Sequence, residues 1–256
     1  MQAKLDGKVA LVTGSSKGIG KAVALKLADN GADVVVNART PAAALEVVAQ
    51  IQQMGRRAVY EQADITDYAQ VRGMVASALD RMGQIDILVA NGGPGQPRPR
   101  FFRDIEPASY MDYVVTRWLS RAYCIRAVLD HMIERQKGKI VSITSDAGRS
   151  PTPSESMIGG SAAALIMMTK ILAQELARWK IRINTVCTTV TRDTPGYERI
   201  YTSDHRSVLK KVEEKIPFGL NTPADIAEAV LFLAGDGSNQ ITGQTISVTG
   251  GLSFPG

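Results

Sequence analysis

Cysteine is scarce in this chain: Cys124 and Cys187 are the only two in 256 residues. Each sits alone in an apolar segment, which excludes a disulfide framework and the paired spacing of a cysteine metal site. The opening residues, MQAKLDGKVALV, lack the layout of a signal peptide. No apolar run reads as approaching the ~20 residues of a membrane span. Low-complexity segments and fixed-period repeats are missing as well. These absences lead to the expectation of a cytoplasmic protein with reduced thiols and no membrane association. Charge of one sign is in modest excess, at a formal +5. The basic residues are spread along the chain rather than gathered into an arm, so no nucleic-acid partner is expected. A solvated surface explains most of them, and attraction of an anionic small-molecule substrate is the functional reading that remains.

What is present alternates. The apolar run KVALVTG (8–14) is followed by IGKAVALKLADNGA, whose apolar residues recur at helical spacing. DVVVNAR (33–39), RAVYEQAD and IDILVANGG read as further strands, with helices AALEVVAQIQQMG and YAQVRGMVASALDRMG between them. The second half continues with one long helix from PASYMDYVV to HMIERQ, the strand GKIVSITS, a helix from Ser156 to Trp179, and the strand IRINTVCT. TPADIAEAVLFLAGD is a helix opening with a threonine cap and proline in the first turn, and GQTISVTGG closes the sheet. Alternation of this kind predicts α/β architecture: a single doubly wound Rossmann-type domain over residues 1–256, its parallel sheet covered by helices on both faces. The stretch from Thr188 to Leu220 has no clear periodicity and is expected to form a mobile flap over a site.

The first strand leads into TGSSKGIG, Thr13 to Gly20. Glycines at 14, 18 and 20 permit a tight turn and close approach of backbone to a pyrophosphate, with the next helix presenting its amides to the charge. Placement after the first strand and before an amphipathic helix is what that mechanism requires.

The Gly-xxx-Gly-x-Gly spacing resembles the short-chain dehydrogenase/reductase family, including its 3-oxoacyl-ACP reductase-like members, and the resemblance covers nearly the whole chain. ADITD (63–67) is similar to the family segment whose aspartate meets the adenine. ILVANGG is similar to the Asn-Asn-Ala-Gly element, with Asn91 and Gly93 kept and Ala90 and Gly92 substituted. The final strand carries Thr249 where aspartate is usual. The implied cofactor-binding set is Gly14, Ser16, Lys17, Gly18, Ile19, Gly20, Arg39, Asp64, Ile65, Asn91 and Gly93. A site that prefers NAD needs a carboxylate after the second strand to accept the ribose hydroxyls. Here the strand ends Asn37-Ala38-Arg39, with Lys17 adding a second cation, so NADP(H) is expected over NAD(H).

The resemblance also implies a catalytic serine, a Tyr-xxx-Lys pair and an asparagine. Ser145, closing IVSITS, matches the serine. The tyrosine position falls on Ile158, the lysine position on Ala162 and the asparagine position on Arg117. No tyrosine occurs between Tyr123 and Tyr197, so no shift of alignment restores the motif. The usual Pro-Gly after the sixth strand is replaced by Thr188 and Thr189. A positioned general acid contributes ~10²–10⁴-fold, and neither Ile158 nor Ala162 supplies one. Of the groups nearby, Tyr197 lies in the flap, Ser154 and Ser156 flank the helix start, and Glu155 reads as a first-turn residue favoured by the helix dipole. Arg117 forms an i, i+4 pair with Arg121 on the long helix, after Arg98, Arg100 and Arg103. It is either a surface arginine or a clamp for a carboxylate, phosphate or thioester oxygen.

These readings point to an NADP(H)-dependent oxidoreductase acting on a polar or anionic carbonyl or hydroxyl substrate, possible acyl thioesters included, with atypical acid–base residues. The alternative is a catalytically reduced homologue that binds nucleotide as a sensor or scaffold, or runs a non-redox step. A homotetramer is expected, because helices around 110–135 and 156–179 carry more apolar surface than one sheet face needs. In the resembled family these helices pair across a two-fold axis, and Gly159, Gly160 and Ala163 would permit close approach.

Overall fold

The computed structural model describes residues 5–93, 97–202, 210 and 212–255. Seven strands form one parallel sheet: β1 (Val9–Val12), β2 (Asp33–Ala38), β3 (Ala58–Gln62), β4 (Ile87–Ala90), β5 (Gly138–Ser145), β6 (Ile181–Thr188) and β7 (Thr245–Val248). Their spatial order is β3-β2-β1-β4-β5-β6-β7. The order reverses between β1 and β4, and in such sheets the crevice at that point is where ligands bind.

Valine and isoleucine dominate the central strands because both faces are covered. Val9 to Val12 and Ile87 to Ala90 are all buried. One core layer lies under α1 (Gly18–Asp29), α2 (Ala42–Gln53) and α8 (Pro223–Ala234); the other lies under α3 (Tyr68–Met82), α5 (Ser120–Glu134) and α6 (Ser156–Leu176). Each fully buried aliphatic side chain contributes about 1.5–3 kcal/mol. Local chemistry fixes the helix ends. Asp67 accepts the amides of Ala69 and Gln70 to open α3, and Gly83 closes it at φ 83°. Thr222 and Pro223 open α8 as the sequence led one to expect, and the Thr222 amide and hydroxyl both donate to Asp225 at 2.7 Å.

Three expectations change. The long helix expected over 107–136 opens with a short turn at Pro107–Ser109 and then runs continuously through α4 (Tyr110–Val114), a π turn at Val115–Leu119 and α5, so the change is a widened turn within it. The wide turn frees carbonyls that buried side chains then take up. Second, residues 156–179 form a helical run of 24 residues that holds an 18-residue stretch of mean hydropathy 1.5, long and apolar enough by composition to cross a membrane. Its inner face packs on the sheet and its outer face carries Met167 and Ile171, so it is apolar on both sides. Third, the expected flap holds regular structure after β6: α7 (Pro195–Tyr201). Residues 203–209 and 211 of that flap lie outside the described residues.

Candidate active site

The ends of β1 and β4 are laced together at the crevice. The Thr13 hydroxyl donates to the Asn91 carbonyl at 2.6 Å, and Asn91 Nδ2 donates to the carbonyls of Thr13 and Gly14 at 3.0 and 3.3 Å. Asn37 ties in the next two strands: its Oδ1 accepts from the Gly14 amide, and its Nδ2 donates to the Glu61 and Ala63 carbonyls. Gly14 sits at φ 60°, and a Cβ there would lie 2.5 Å from the Gly92 Cα; one on Gly20 would collide with the Gly14 carbonyl. The loop therefore has a glycine-only contact that holds open a cradle at the start of α1, a shape that fits a nucleotide pyrophosphate. Ser16 and Ile19 are half-buried in this loop, while Lys17 is exposed just ahead of α1. Gly18 is at φ 51°, and a Cβ on it would touch Thr194 and Pro195 at 3.4 Å, so the segment after β6 rests on the loop.

Arg39 and Asp64 share the rim above β2 and β3. Arg39 is exposed, with Nη1 3.9 Å from Asp64 Oδ2. Asp64 Oδ1 is also held by the amide and hydroxyl of Thr66, and Ile65 beside it is buried. The charge reading of cofactor preference must therefore count Asp64 as a neighbour of Arg39, in an exposed pair that is worth at most about 1 kcal/mol.

Ser145 closes β5. Its Oγ accepts from the Ala147 amide and donates to Glu155 Oε2, both at 3.2 Å. The turn that follows is anchored from the far end of the chain. Asp146 accepts from the hydroxyls of Ser247 and Ser253, and Arg149 donates to Thr245, Ser247 and Pro255. Glu155 departs from expectation: it occupies the residue before α6 rather than its first turn. Its carboxyl makes no capping bond to the helix amides and turns to Ser145 instead. Burial pushes its pKa above the ordinary glutamate value, against the opposing pull of the Ser145 hydrogen bond and the Arg117 charge.

Arg117 lies in the π turn and is not a surface arginine. Nη2 donates to the Pro97 carbonyl at 3.1 Å, while Nε is closed off from solvent and has no partner among the described residues. Burial lowers its pKa, and Glu155 partly restores it. Arg121, expected beside it on a helix face, is buried at 8% exposure. Its Nη1 donates to the Thr116 carbonyl and the Ser120 hydroxyl, its Nε is also unpartnered, and desolvation plus the Arg117 charge pull its pKa to about 10. Gly93, at the end of the β4 loop, lies directly against it; a Cβ there would be 3.2 Å from Arg121 Nη1. Nothing in the residue pattern marked Arg121, because an arginine four residues from another reads as a solvated stripe. Arg103, by contrast, faces solvent and pairs with Asp104.

Ile158 is buried in an apolar cluster with Ile105 and Tyr113, flanked by Tyr110 and Met157. Ala162 is buried under Gly148, where an added Cβ would lie 2.8 Å from its own. A Cβ on Gly159 would come within 2.7 Å of the Ala147 carbonyl. Gly159 is therefore used inside the chain, to seat the turn after Ser145 on α6, and not for approach of another subunit. Gly160 and Ala163 do face outward. Past β6, Thr188 and Thr191 join hydroxyls at 3.0 Å, and the Thr194 hydroxyl donates to the Thr191 carbonyl.

A sequence profile for short chain dehydrogenases matches residues 8–204. The chain belongs to the short-chain dehydrogenase family. Among its relatives, the BbsD subunit of (2S)-[(R)-hydroxy(phenyl)methyl]succinyl-CoA dehydrogenase from Thauera aromatica is 36% identical, with 98% of each chain covered. The 3-oxoacyl-[acyl-carrier-protein] reductase FabG of Staphylococcus epidermidis is 34% identical over 96% of this chain and 98% of that one. Of solved structures, 7 alpha-hydroxysteroid dehydrogenase, complexed with NADH and 7-oxo glycochenodeoxycholic acid, superposes with a TM-score of 0.90 at 31% identity, covering 98% of this chain and 96% of that one. A gluconate 5-dehydrogenase from Burkholderia cenocepacia, in complex with NADP and tartrate, gives 0.90 at 29% identity, covering 98% and 97%. As a short-chain dehydrogenase the chain binds a nicotinamide cofactor and acts on a small molecule, and the two complexes span both cofactors.

Proposed function

We propose that this short-chain dehydrogenase is an NADP(H)-dependent oxidoreductase for an anionic carbonyl or hydroxyl substrate, an acyl thioester above all. The carrying observation is the pair Arg117 and Arg121, enclosed beside the ends of β4 and β5 with both Nε atoms unpartnered. Arg121 is buried and Arg117 half-buried, and desolvated guanidiniums without a close ion pair are costly unless an anion joins them. Relatives that bear CoA and acyl-carrier names support the thioester reading. The glycine cradle from Gly14 to Gly20, with Asn91 facing it and Gly93 beyond on the β4 loop, would hold the dinucleotide, Asp64 and Ile65 its adenine, and Lys17 and Arg39 a 2′-phosphate. When bound, the nicotinamide supplies or accepts a hydride. Ser145 would hold the substrate oxygen, and Arg117 the anionic group. The protein is expected in the cytoplasm as a homotetramer.

One observation favours a second reading, a reduced homologue that binds nucleotide without redox turnover. Ile158 and Ala162, at the positions the family gives to tyrosine and lysine, are packed as core. NADPH and NADH oxidation against acetoacetyl-CoA and neutral ketones, with calorimetric titration of both nucleotides, separates the two. Nucleotide binding with no hydride transfer to any substrate favours the second reading.

A further inference from the structure

We infer that Glu155 is the proton reservoir of this site, delivering through Ser145 the proton that the family draws from tyrosine. This rests on the oxidoreductase reading above. Four features of the structure converge on it. The carboxyl is the ionisable group hydrogen-bonded to Ser145, at 3.2 Å. It occupies the residue just before α6 and makes no capping bond to the helix amides, so its carboxyl is left to Ser145. Its backbone is pinned, with the Glu155 carbonyl accepting from Gly159 at 2.6 Å and the amide donating to Thr152 at 3.1 Å. And the turn after Ser145 is tied by Asp146 and Arg149 to β7 and to Ser253 and Pro255 beyond it, so donor and relay keep their spacing.

The electrostatics suit the task. The group that faces the carboxyl from β5 is Ser145, and from the π turn Arg117; Tyr113 of α4 and Arg199 of α7 act on it through Arg117. Enclosure favours the neutral acid and Arg117 favours the carboxylate, which brings the group toward the range where a proton can move either way. In the reducing direction the carbonyl π pair, displaced onto oxygen as the hydride adds to carbon, takes the Ser145 Oγ proton. Ser145 is refilled from the Glu155 carboxylic acid. Glu155 is left as carboxylate and regains its proton from solvent. In the oxidising direction the same carboxylate receives the alcohol proton.

Glu155→Gln keeps size and the bond to Ser145 but cannot release a proton. With NADPH and acetoacetyl-CoA as probe, wild type should slow as pH rises through the Glu155 titration. That titration is itself read without turnover, as the carboxyl band that wild type shows and Glu155→Gln lacks in pH-difference infrared spectra of the nucleotide-free protein. The variant should bind NADPH as wild type does, lose ~10²–10⁴-fold in rate, and lose that limb of the pH profile. Glu155→Asp, which keeps an ionisable carboxyl at shorter reach, should keep the limb at reduced rate. A wild type that reduces the probe, with Glu155→Gln equal to it in rate and profile, overturns the assignment and leaves the oxidoreductase reading standing. So does a carboxyl band that shows Glu155 ionised throughout the active range. If wild type transfers hydride to neither acetoacetyl-CoA nor the ketone panel, both fall together.

Discussion

Arg117 and Glu155 are neighbours in space and 38 positions apart in sequence, and each sets the other's chemistry. Removing the arginine as Arg117→Ala should weaken binding of an acyl-CoA such as acetoacetyl-CoA by about 1.5 kcal/mol or more, the scale of a charge-assisted hydrogen bond. NADPH affinity should hold; calorimetry on both ligands checks this. The same pair makes stability depend on pH. Glu155 has a folded-state pKa above its unfolded value, so its neutral form stabilises the fold below the ordinary glutamate range. That contribution is lost as pH rises through the folded value. Denaturant midpoints of wild type should therefore decline across that window relative to Glu155→Gln; parallel curves would show that the carboxyl is not held neutral by the fold. At the cofactor end, Arg39→Ala should cost NADPH about 1 kcal/mol relative to NADH, because an exposed arginine partly engaged by Asp64 has little more to give. Equal loss for both nucleotides would defeat the charge reading. Glycines 14, 18 and 20 were legible because their spacing is the mechanism. Glu155 was not, since its partners Ser145 and Arg117 lie ten and 38 positions away on other elements, and only the fold brings them to its carboxyl.

Elements were read well where periodicity was strong and poorly where a side chain overrode it. The eight residues of β5 and of β6 fall where the sequence placed them, because valine, isoleucine and threonine runs bounded by glycine and charge have one sensible register. The π turn between α4 and α5 was invisible: VVTRWLS has no glycine or proline to mark it, and buried side chains take up the wide turn's carbonyls, Arg121 and Ser120 donating to Thr116 and Thr116 to Asp112. The small residues on α6, expected to serve subunit approach together, split by face: Gly159 packs inside the chain while Gly160 and Ala163 point outward. Gly148→Ala pushes a Cβ to 2.7 Å from the Ala163 amide nitrogen, whereas Gly160→Ala meets nothing within 4 Å. The first should destabilise by about 1–3 kcal/mol and disturb the Ser145 turn. The second sits on an open helix face and should be neutral to stabilising by up to about 1 kcal/mol in a free subunit. Thermal and denaturant unfolding of the pair would test whether the turn rather than the helix is the sensitive partner.

For the molecule as a whole, the outer face of α6 decides what the fold does next. Gly160, Ala163, Met167 and Ile171 recur at helical spacing along it, and Met167 and Ile171 are 55% and 50% exposed. Residue spacing had already suggested that this helix is too apolar for one sheet face. Its inner residues satisfy the core, and the outer four are left as a stripe without a covering element among the described residues. In a closed symmetric oligomer such a stripe meets its own copy, so every residue in it is buried twice. Covering a half-exposed methionine and isoleucine in each of two subunits is worth on the order of 1 kcal/mol per side chain. Met167→Glu with Ile171→Glu then does more than remove that gain, since four like charges are brought to one axis. Light scattering at micromolar concentration should report the tetramer mass for wild type and a smaller species for the double variant. The variant should retain NADPH binding, because the cradle between β1 and α1 lies on the opposite half of the sheet. A monomeric wild type would show that the stripe is simply tolerated in water, and an unchanged mass in the variant would move the interface to another face.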